Sequence, residues 1–191
     1  MTRFVALVPP VPALLPGYAG LGDPLPDLRK AVLEAVTWLA ERSPARLVML
    51  GDGPDPANVA RGVSVSLARR IADSLLGEAG FTGELVETLD EGDAGLLILA
   101  NGSARRGERA PGHLDDRAFA YDALIEHALA DGDRQTLRGL DSELGSDLMA
   151  SGIGAIKQLA TSAGDVVDST ALYAGDPFGV RYWVVTWECV S

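Results

Sequence analysis

Carboxylates and histidines are the side chains with the most obvious chemistry in this chain, and they are sparsely placed. Asp52 and Asp55 lie three residues apart in the turn-rich segment 51–56, directly after an apolar run. Paired carboxylates can hold a divalent cation or carry out acid–base chemistry. Asp-Gly and Asp-Pro are also ordinary turn sequences, so both interpretations stay open. The two histidines, His113 and His127, offer little material for a metal site.

A second polar segment, 101–107, contains two glycines, one serine and two arginines. The backbone N–H groups of such a loop can bind an anion, and Arg105 or Arg106 would add positive charge. The segment lacks the Gly-Lys-Ser/Thr ending of a phosphate-binding loop, and no helix follows it directly as in a dinucleotide site. A solvated turn is the alternative. The chain also lacks a His-x-Glu pair, a cysteine pair and a Gly-x-Ser-x-Gly nucleophile motif.

Apolar runs predict the strands that end at these polar segments. The predicted strands are 4–8, 46–51, 84–88 near an edge, 95–100, 166–173 and 180–190, the last two as an antiparallel pair. Apolar residues at helical spacing predict helices over 28–39, 64–79, 115–130 and 153–163. In the third helix, Phe119, Ala123, Leu124 and Ala128 are expected on the apolar face. Strands that alternate with helices predict an α/β fold, a three-layer α/β/α sandwich with a mixed, mostly parallel sheet, in one domain over residues 1–191.

The first predicted strand runs into a loop with four prolines, at positions 9, 10, 12 and 16. Proline cannot donate to a sheet ladder, so the strand is expected to end near Val8 and the loop to be stiff. Open α/β sheets bind ligands at the carboxyl ends of their strands. The sequence therefore predicts a ligand site at this edge of the sheet, and the residues expected there are Asp52, Asn101, Ser103, Arg105 and His113.

Composition narrows the class of protein. The formal net charge is −11, which disfavours nucleic acid as a partner, and 47% of the 191 residues are hydrophobic, as in folded chains. No stretch approaches the roughly 20 continuous apolar residues of a membrane span, and no signal peptide is convincing. We therefore expect a cytoplasmic protein with no membrane partner. The single cysteine, Cys189, lies in an apolar run and is expected to be buried.

Four parts of the chain resemble the catalytic chains of the class III extradiol ring-cleavage dioxygenases and the related Memo-like proteins. In chain order, the segments are 10–16, 47–52, 97–103 with 119–122 and 129–133, and 177–182. They look like the family's opening His-Pro-Pro loop, its strand ending in Ser-Pro-His, its Gly-Asp-x-Ser-His block with the following helix, and its closing Gly-Val-Gly-Tyr strand. The resemblance spans most of the chain and implies the fold of the extradiol dioxygenase catalytic chain.

Enzymes of this family hold Fe(II) with two histidines and one glutamate, and a further histidine serves as acid–base catalyst. By the resemblance, the three ligand positions fall at Pro10, Asp52 and Ser151, and the catalytic histidine falls near Ala104 or Arg105. Proline has no ligand atom, and one carboxylate does not replace two imidazoles for Fe(II). No cofactor is therefore expected. His113 is a candidate displaced ligand, but one histidine does not restore the set.

The resemblance thus predicts a divergent family member that lacks Fe(II) ring cleavage and keeps a pocket for a small anionic or hydroxylated ligand. An arginine in that pocket would match a carboxylate or phosphate. Two alternatives stay open. One is an active iron-dependent dioxygenase with replaced ligands. The other is a non-enzymatic scaffold or subunit, in which the face carrying Trp183 and Trp187 would meet another chain, for example in a homo-oligomer.

Overall fold

A six-stranded mixed sheet forms the centre of the structure, a computed structural model that describes residues 2–18, 22–89 and 94–190. The strands are β1 (Thr2–Val8), β2 (Arg46–Leu50), β3 (Glu84–Val86), β4 (Gly95–Leu99), β5 (Asp165–Gly175) and β6 (Tyr182–Val190). Their order across the sheet is β3-β2-β4-β1-β6-β5. The first four strands of the chain run parallel to one another, whereas β6 is antiparallel to both β1 and β5. The predicted strands, the edge position of β3 and the final antiparallel pair are confirmed.

Seven α-helices lie within the described residues and cover both faces of the sheet. They are α1 (Pro26–Arg42), α2 (Pro56–Val59), α3 (Leu67–Glu78), α4 (Arg117–Asp131), α5 (Arg134–Arg138), α6 (Ser142–Asp147) and α7 (Ile153–Ser162). Buried residues of α1 and α3 pack against one face, and those of α4, α5 and α7 pack against the other. The structure is therefore an α/β fold with a mixed sheet. In the described part of the chain, no helix is long and apolar enough to cross a lipid bilayer.

Strand β4 shows why this sheet needs helices on both faces. All five of its residues are buried. Leu96 and Ile98 pack into the core beneath α4, α5 and α7, whereas Leu97 and Leu99 pack into the core beneath α1 and α3. Side chains alternate between the two faces of a strand, so a continuous apolar run requires an apolar partner on each side.

The expected apolar face of α4 was wrong at Phe119, Ala123 and Leu124, which are exposed, and right at Ala128, which is buried. Phe119 and Leu124 are 43% and 49% exposed. The buried positions of the helix are Ala118, Tyr121, Asp122, Ile125, Ala128 and Leu129. This stripe contains an aspartate, and a search for apolar residues alone passes over it. The start of α3 was also predicted too early. The side chain of Ser66 accepts a hydrogen bond from the Arg69 N–H and caps the helix, which begins at Leu67.

The tryptophans of β6 pack in the core. Trp183 and Trp187 are each 1% exposed and point into the core beneath α4. The Trp183 Nε1–H donates to Glu126, and the Trp187 Nε1–H donates to the carbonyl of Leu129. Their shared face is therefore buried within the chain and does not offer the contact with another chain considered from the sequence. Cys189 is buried as expected, and burial raises its pKa to about 11.

The parallel strands β1, β2 and β4 end at one edge of the sheet, which we call the carboxyl edge. The segments that leave them there are the proline loop 9–16, the loop 51–55 and the loop 100–107. Register pairs Val8 with Leu99 and Leu50 with Ile98, so the three strands end nearly level with one another. The residues that follow them are thereby brought together.

Two leucines of α4 give a matched test of this packing. Leu129 is 1% exposed, and its truncation to alanine would leave a cavity in the core. Leu129→Ala is expected to lower the free energy of unfolding by about 2–5 kcal/mol. Leu124→Ala, on the solvent side of the same helix, is expected to change it by about 0.5 kcal/mol or less. Urea denaturation of both variants measures the difference, and equal losses would contradict the observed face of α4.

Candidate functional site

A cavity of about 480 Å³ opens at the carboxyl edge, between the ends of β1, β2 and β4. Its volume is in the range of small-molecule pockets. The lining residues are Pro10, Val11, Pro12, Asp52, Gly53, Leu67, Ala68, Asn101, Ala104, Met149, Ser151, Val180 and Tyr182. Most of them are apolar, and the polar side chains come from four separate parts of the chain.

The proline loop forms one wall of this cavity. Strand β1 ends at Val8 as predicted, and the loop continues through a 3₁₀ turn over Pro12–Leu14. The guanidinium of Arg29, on α1, donates to the carbonyls of Ala13 and Leu14 at 2.6 and 3.0 Å. Because proline also fixes φ, this wall is held both from within and from the neighbouring helix.

Asp52 lies at the end of β2 and links that strand to α7. Its Oδ2 accepts a hydrogen bond from the Ser151 hydroxyl at 2.7 Å and another from the Gly152 N–H at 2.8 Å. Gly152 is the N-cap of α7 and has a positive φ of 74°. The N-terminus of a helix has free N–H groups and a positive partial charge, so it is a favourable place for a carboxylate.

Asn101 completes the polar part of the cavity. Its backbone N–H donates to the Ser151 carbonyl at 3.0 Å, and the Ser151 N–H donates back to the Asn101 carbonyl at 3.2 Å. The Asn101 side chain donates to the Gly102 carbonyl. The ends of β2 and β4 and the start of α7 are thus joined through Asp52, Asn101 and Ser151.

Of the polar residues predicted from the sequence, Asp52 and Asn101 line this cavity. Pro10 and Ser151, the other two positions aligned with the family's metal ligands, line it as well. Asp55 has a different role, because its Oδ1 accepts from the N–H groups of Ala57 and Asn58 and caps α2. Asp55 is therefore a turn and capping residue, as one of the two interpretations predicted. Asp52 and Asp55 do not act together on one ligand or cation.

Ser103 is fully buried and does not line the cavity. Its N–H donates to Asp122 Oδ1 at 2.8 Å, and its hydroxyl donates to Asp122 Oδ2 at 2.5 Å. Other N–H groups of the loop, those of residues 101, 102, 104 and 106, donate to backbone carbonyls. These groups are therefore not available to hold an anion, in contrast to the expectation from the glycine-rich sequence.

Arg105 and His113 also lie outside the lining of the cavity. The Nε of Arg105 is buried and has no hydrogen-bond partner. Arg105 Nε and Met149 Sδ lie 3.0 and 2.7 Å from the point where a Cβ on Gly112 would stand, so both side chains pack against Gly112. His113 is exposed, with a positive φ of 57°, and its Nδ1 is 3.4 Å from the Glu108 carbonyl.

Between α4 and β6, a groove of about 260 Å³ contains a network of charges that sequence reasoning missed. Arg106 donates to Asp122 at 3.2 Å and to Asp176 at 2.9 Å, and its guanidinium lies 4.5 Å from the centre of the Phe119 ring. Arg181 pairs with Glu126. Burial opposes ionisation of Glu126, but hydrogen bonds from Arg181 and Trp183 prevail and lower its pKa. These charges are paired with one another, so Arg106 fixes the loop 100–107 to α4 and to the segment between β5 and β6.

Tyr182, Leu67, Met149 and Val180 are lining residues that were not predicted as site residues. Burial raises the pKa of the Tyr182 hydroxyl. Tyr182 belongs to β6, the antiparallel strand next to β1, and Val180 directly precedes that strand. The only signal for Tyr182 is strand alternation, which puts it on the face opposite Trp183. No sequence pattern shows that Met149 adopts its positive φ of 56° at the rim.

The residues that line the cavity do not fit an Fe(II) centre of two imidazoles and a carboxylate. Pro10 has no donor atom, and the Ser151 hydroxyl donates its hydrogen bond to the one carboxylate, Asp52. That hydrogen bond and the one from Gly152 engage Asp52 Oδ2. Over residues 2–18, 22–89 and 94–190, no group of three His, Cys, Asp or Glu side chains could hold a metal ion.

Comparison with known proteins adds no family assignment. No family model matches the chain, and no curated protein is significantly similar to it.

The buried Asp122 makes a prediction about pH. Burial raises its pKa above the ordinary value of 3.8, although hydrogen bonds from Ser103 and the charge of Arg106 act in the opposite direction. The folded chain therefore keeps this proton to higher pH than the unfolded chain does. The resulting stabilisation is fully present below pH 3.8 and is lost as the pH rises through the folded-state pKa.

Asp122→Asn removes this titration. The free energy of unfolding of the wild type minus that of the variant is expected to fall as the pH rises from below 3.8, because the raised pKa of Asp122 is the difference that the variant removes. Urea denaturation across this rise in pH gives the difference at each pH, which separates this one group from the other carboxylates. A difference that stays flat or rises with pH would show that Asp122 is ionised as readily in the folded chain as in the unfolded chain.

Proposed function

We propose that this chain is a divergent member of the class III extradiol dioxygenase family, related to its catalytic chains, that binds a small hydroxylated organic molecule at the carboxyl edge without Fe(II) ring-cleavage chemistry. The observation that carries the proposal is the meeting of Pro10, Asp52 and Ser151 in one cavity. The resemblance picked out these three positions as those of the family's metal ligands.

This convergence supports the family assignment because the three positions are far apart in the chain. Pro10 follows β1, Asp52 follows β2, and Ser151 precedes α7. The family assignment requires the three ligand positions to meet at one site, and they do so here. The carboxyl edge is also where an open α/β sheet places its binding site.

The types of residue at these three positions support the absence of Fe(II) ring-cleavage chemistry. Two of the three positions hydrogen-bond to each other, through Ser151 Oγ and Asp52 Oδ2 at 2.7 Å. Asp52 Oδ2 is therefore engaged within the chain, and the one remaining carboxylate oxygen does not make the donor set of an Fe(II) centre. The third position, Pro10, contributes only an apolar ring to the wall.

The shape and polarity of the cavity support a small ligand with hydroxyl groups. Pro10, Val11, Leu67 and Val180 supply apolar surface, and the Asp52 carboxylate supplies a polar contact. A carboxylate accepts hydrogen bonds from hydroxyl groups. Among the described residues, no Lys, Arg or His lines the cavity. Of the two ligand types predicted from the sequence, anionic and hydroxylated, we therefore retain the hydroxylated one.

Binding and chemistry can be tested with catechol. Titration of ¹⁵N-labelled protein with catechol is expected to shift the amide signals of Gly53, Asn101 and Ser151. With Fe(II) added, we expect no oxygen uptake above that of iron and catechol alone. Oxygen uptake that requires the protein and is lost in Asp52→Ala would overturn the non-catalytic part of the proposal and favour an active dioxygenase with replaced ligands.

A blocking variant keeps this experiment specific. Leu67 is partly exposed at the rim, so Leu67→Trp is expected to fill space in the cavity and weaken catechol binding by roughly tenfold, about 1.4 kcal/mol. Leu114 is exposed to a similar degree and does not line the cavity, so Leu114→Trp is the control. Equal binding by both variants would mean that catechol binds elsewhere.

Restoring the ligands tests the family assignment separately. The triple variant Pro10→His, Asp52→His and Ser151→Glu rebuilds the donor set implied by the resemblance. It is expected to bind one Co(II) per chain, measured by visible absorption and by equilibrium dialysis, because imidazole and carboxylate donors would then meet in one cavity. The control carries the same two histidines and Ser146→Glu on α6, outside the cavity. Equal Co(II) binding by the two variants would contradict the alignment of Ser151.

A further inference from the structure

We infer that the hydroxylated ligand of this cavity also carries a cationic amine, attached to an apolar or aromatic body. This inference rests on the proposed function, because it names the chemical class of the molecule that the cavity binds. It differs from the anionic ligand expected from the arginine-containing sequence. The observation behind it is the charge of the cavity, which comes from one carboxylate.

Asp52 is the only residue with an ionisable acidic or basic side chain, tyrosine aside, among the described residues that line the cavity. Both of its hydrogen-bond donors, the Ser151 hydroxyl and the Gly152 N–H, are neutral. No salt bridge joins Asp52 to a cationic side chain in the described part of the chain. The carboxylate is therefore held in place by hydrogen bonds while its charge has no ionic partner.

The geometry at Asp52 leaves a place for a cation. Both of these hydrogen bonds end on Oδ2, and within residues 2–18, 22–89 and 94–190 none is made to Oδ1. An ammonium group donates up to three hydrogen bonds, so it can satisfy a free carboxylate oxygen and the charge together. A neutral hydroxyl supplies only the hydrogen bond.

The rest of the cavity suits the organic part of such a ligand. Pro12, Leu67, Met149 and Val180 form apolar surface near the carboxylate, and Tyr182 is an aromatic residue of the lining. Aromatic rings attract cations through their faces, and thioethers pack well against aromatic groups. The net charge of −11 also favours the approach of a cation over that of an anion.

Arg105 is the cationic side chain that could have reversed this preference, and it lies outside the lining. It packs against the backbone of Gly112, near Met149, and its charge adds a smaller effect to the hydrogen bond from Arg117 that lowers the pKa of Asp115, which is not a lining residue either. An anionic ligand in the cavity would therefore meet Asp52 without a compensating arginine. That arrangement disfavours carboxylates and phosphates.

Three compounds with the same ring and a similar side chain test this inference. They are tyramine, 4-ethylphenol and 3-(4-hydroxyphenyl)propionate, which are cationic, neutral and anionic at pH 7. Titration of ¹⁵N-labelled protein with each, at low ionic strength, gives a dissociation constant from the amide shifts of Gly53, Asn101 and Ser151. Tyramine is expected to bind at least fivefold more tightly than 4-ethylphenol, and the propionate more weakly than both.

Two variants with the same net charge separate a local effect from a general one. Asp52→Asn keeps an oxygen that can accept hydrogen bonds from Ser151 and Gly152. It is expected to abolish the preference, so that tyramine and 4-ethylphenol have about equal dissociation constants. Asp55→Asn removes one charge from the same loop, outside the cavity lining, and is expected to keep the preference. Loss of the preference in both variants would show attraction to the acidic chain as a whole and would overturn the inference.

The outcomes distinguish this inference from the proposed function. If none of the three compounds shifts the amide signals of the cavity, both fail. If 4-ethylphenol binds as tightly as tyramine, or the propionate binds best, the cavity binds small molecules but the ligand class is wrong. A tyramine preference that disappears in Asp52→Asn alone supports both.

Discussion

The hydrogen bonds between Asp52 and the start of α7 are the interaction on which the candidate site depends. They connect the end of β2 to residues about a hundred positions later in the chain. The paired backbone bonds between Asn101 and Ser151 bring the end of β4 to the same place. These contacts add to the strand register, which already places the loops at one edge, and they fix the side of the cavity formed by β2, β4 and the start of α7.

Glycine makes this junction possible. Gly152 has a positive φ, and a side chain there would collide with the Leu99 carbonyl and with Ala100. The backbone can therefore approach β4 closely and aim its N–H at Asp52 only if this residue has no Cβ. One small residue thus determines both where α7 begins and how the carboxylate of the cavity is oriented.

The strands and the edge of the sheet that carries the site could be predicted from the sequence because they depend on local signals. A fully apolar run such as 95–99 indicates a buried strand, and the prolines after Val8 define the end of its neighbour. The same signals predicted Asp52 and Asn101 near one another. They rest on strand periodicity and on the rule for open α/β sheets, both of which need only the order of residues along the chain.

The remaining site residues depend on contacts between distant segments, which local patterns do not encode. Ser103 looked like a loop residue available to a ligand, yet Asp122 on α4 takes both of its donors. Arg105 and Arg106 are neighbours in sequence but make different contacts, since Arg106 pairs with two carboxylates and Arg105 packs against Gly112. Which of two adjacent arginines meets a carboxylate is decided by tertiary packing.

The hydrogen bonds from Arg29 to the proline loop affect how a ligand would bind. The loop is fixed by its own prolines and by two hydrogen bonds to α1, so this wall has its final shape before any molecule arrives. Little conformational entropy would be lost there on association. This preorganised wall selects molecules whose shape already fits it. Ligands of different shape would be accommodated by movement at the rim that contains Met149, which is half exposed.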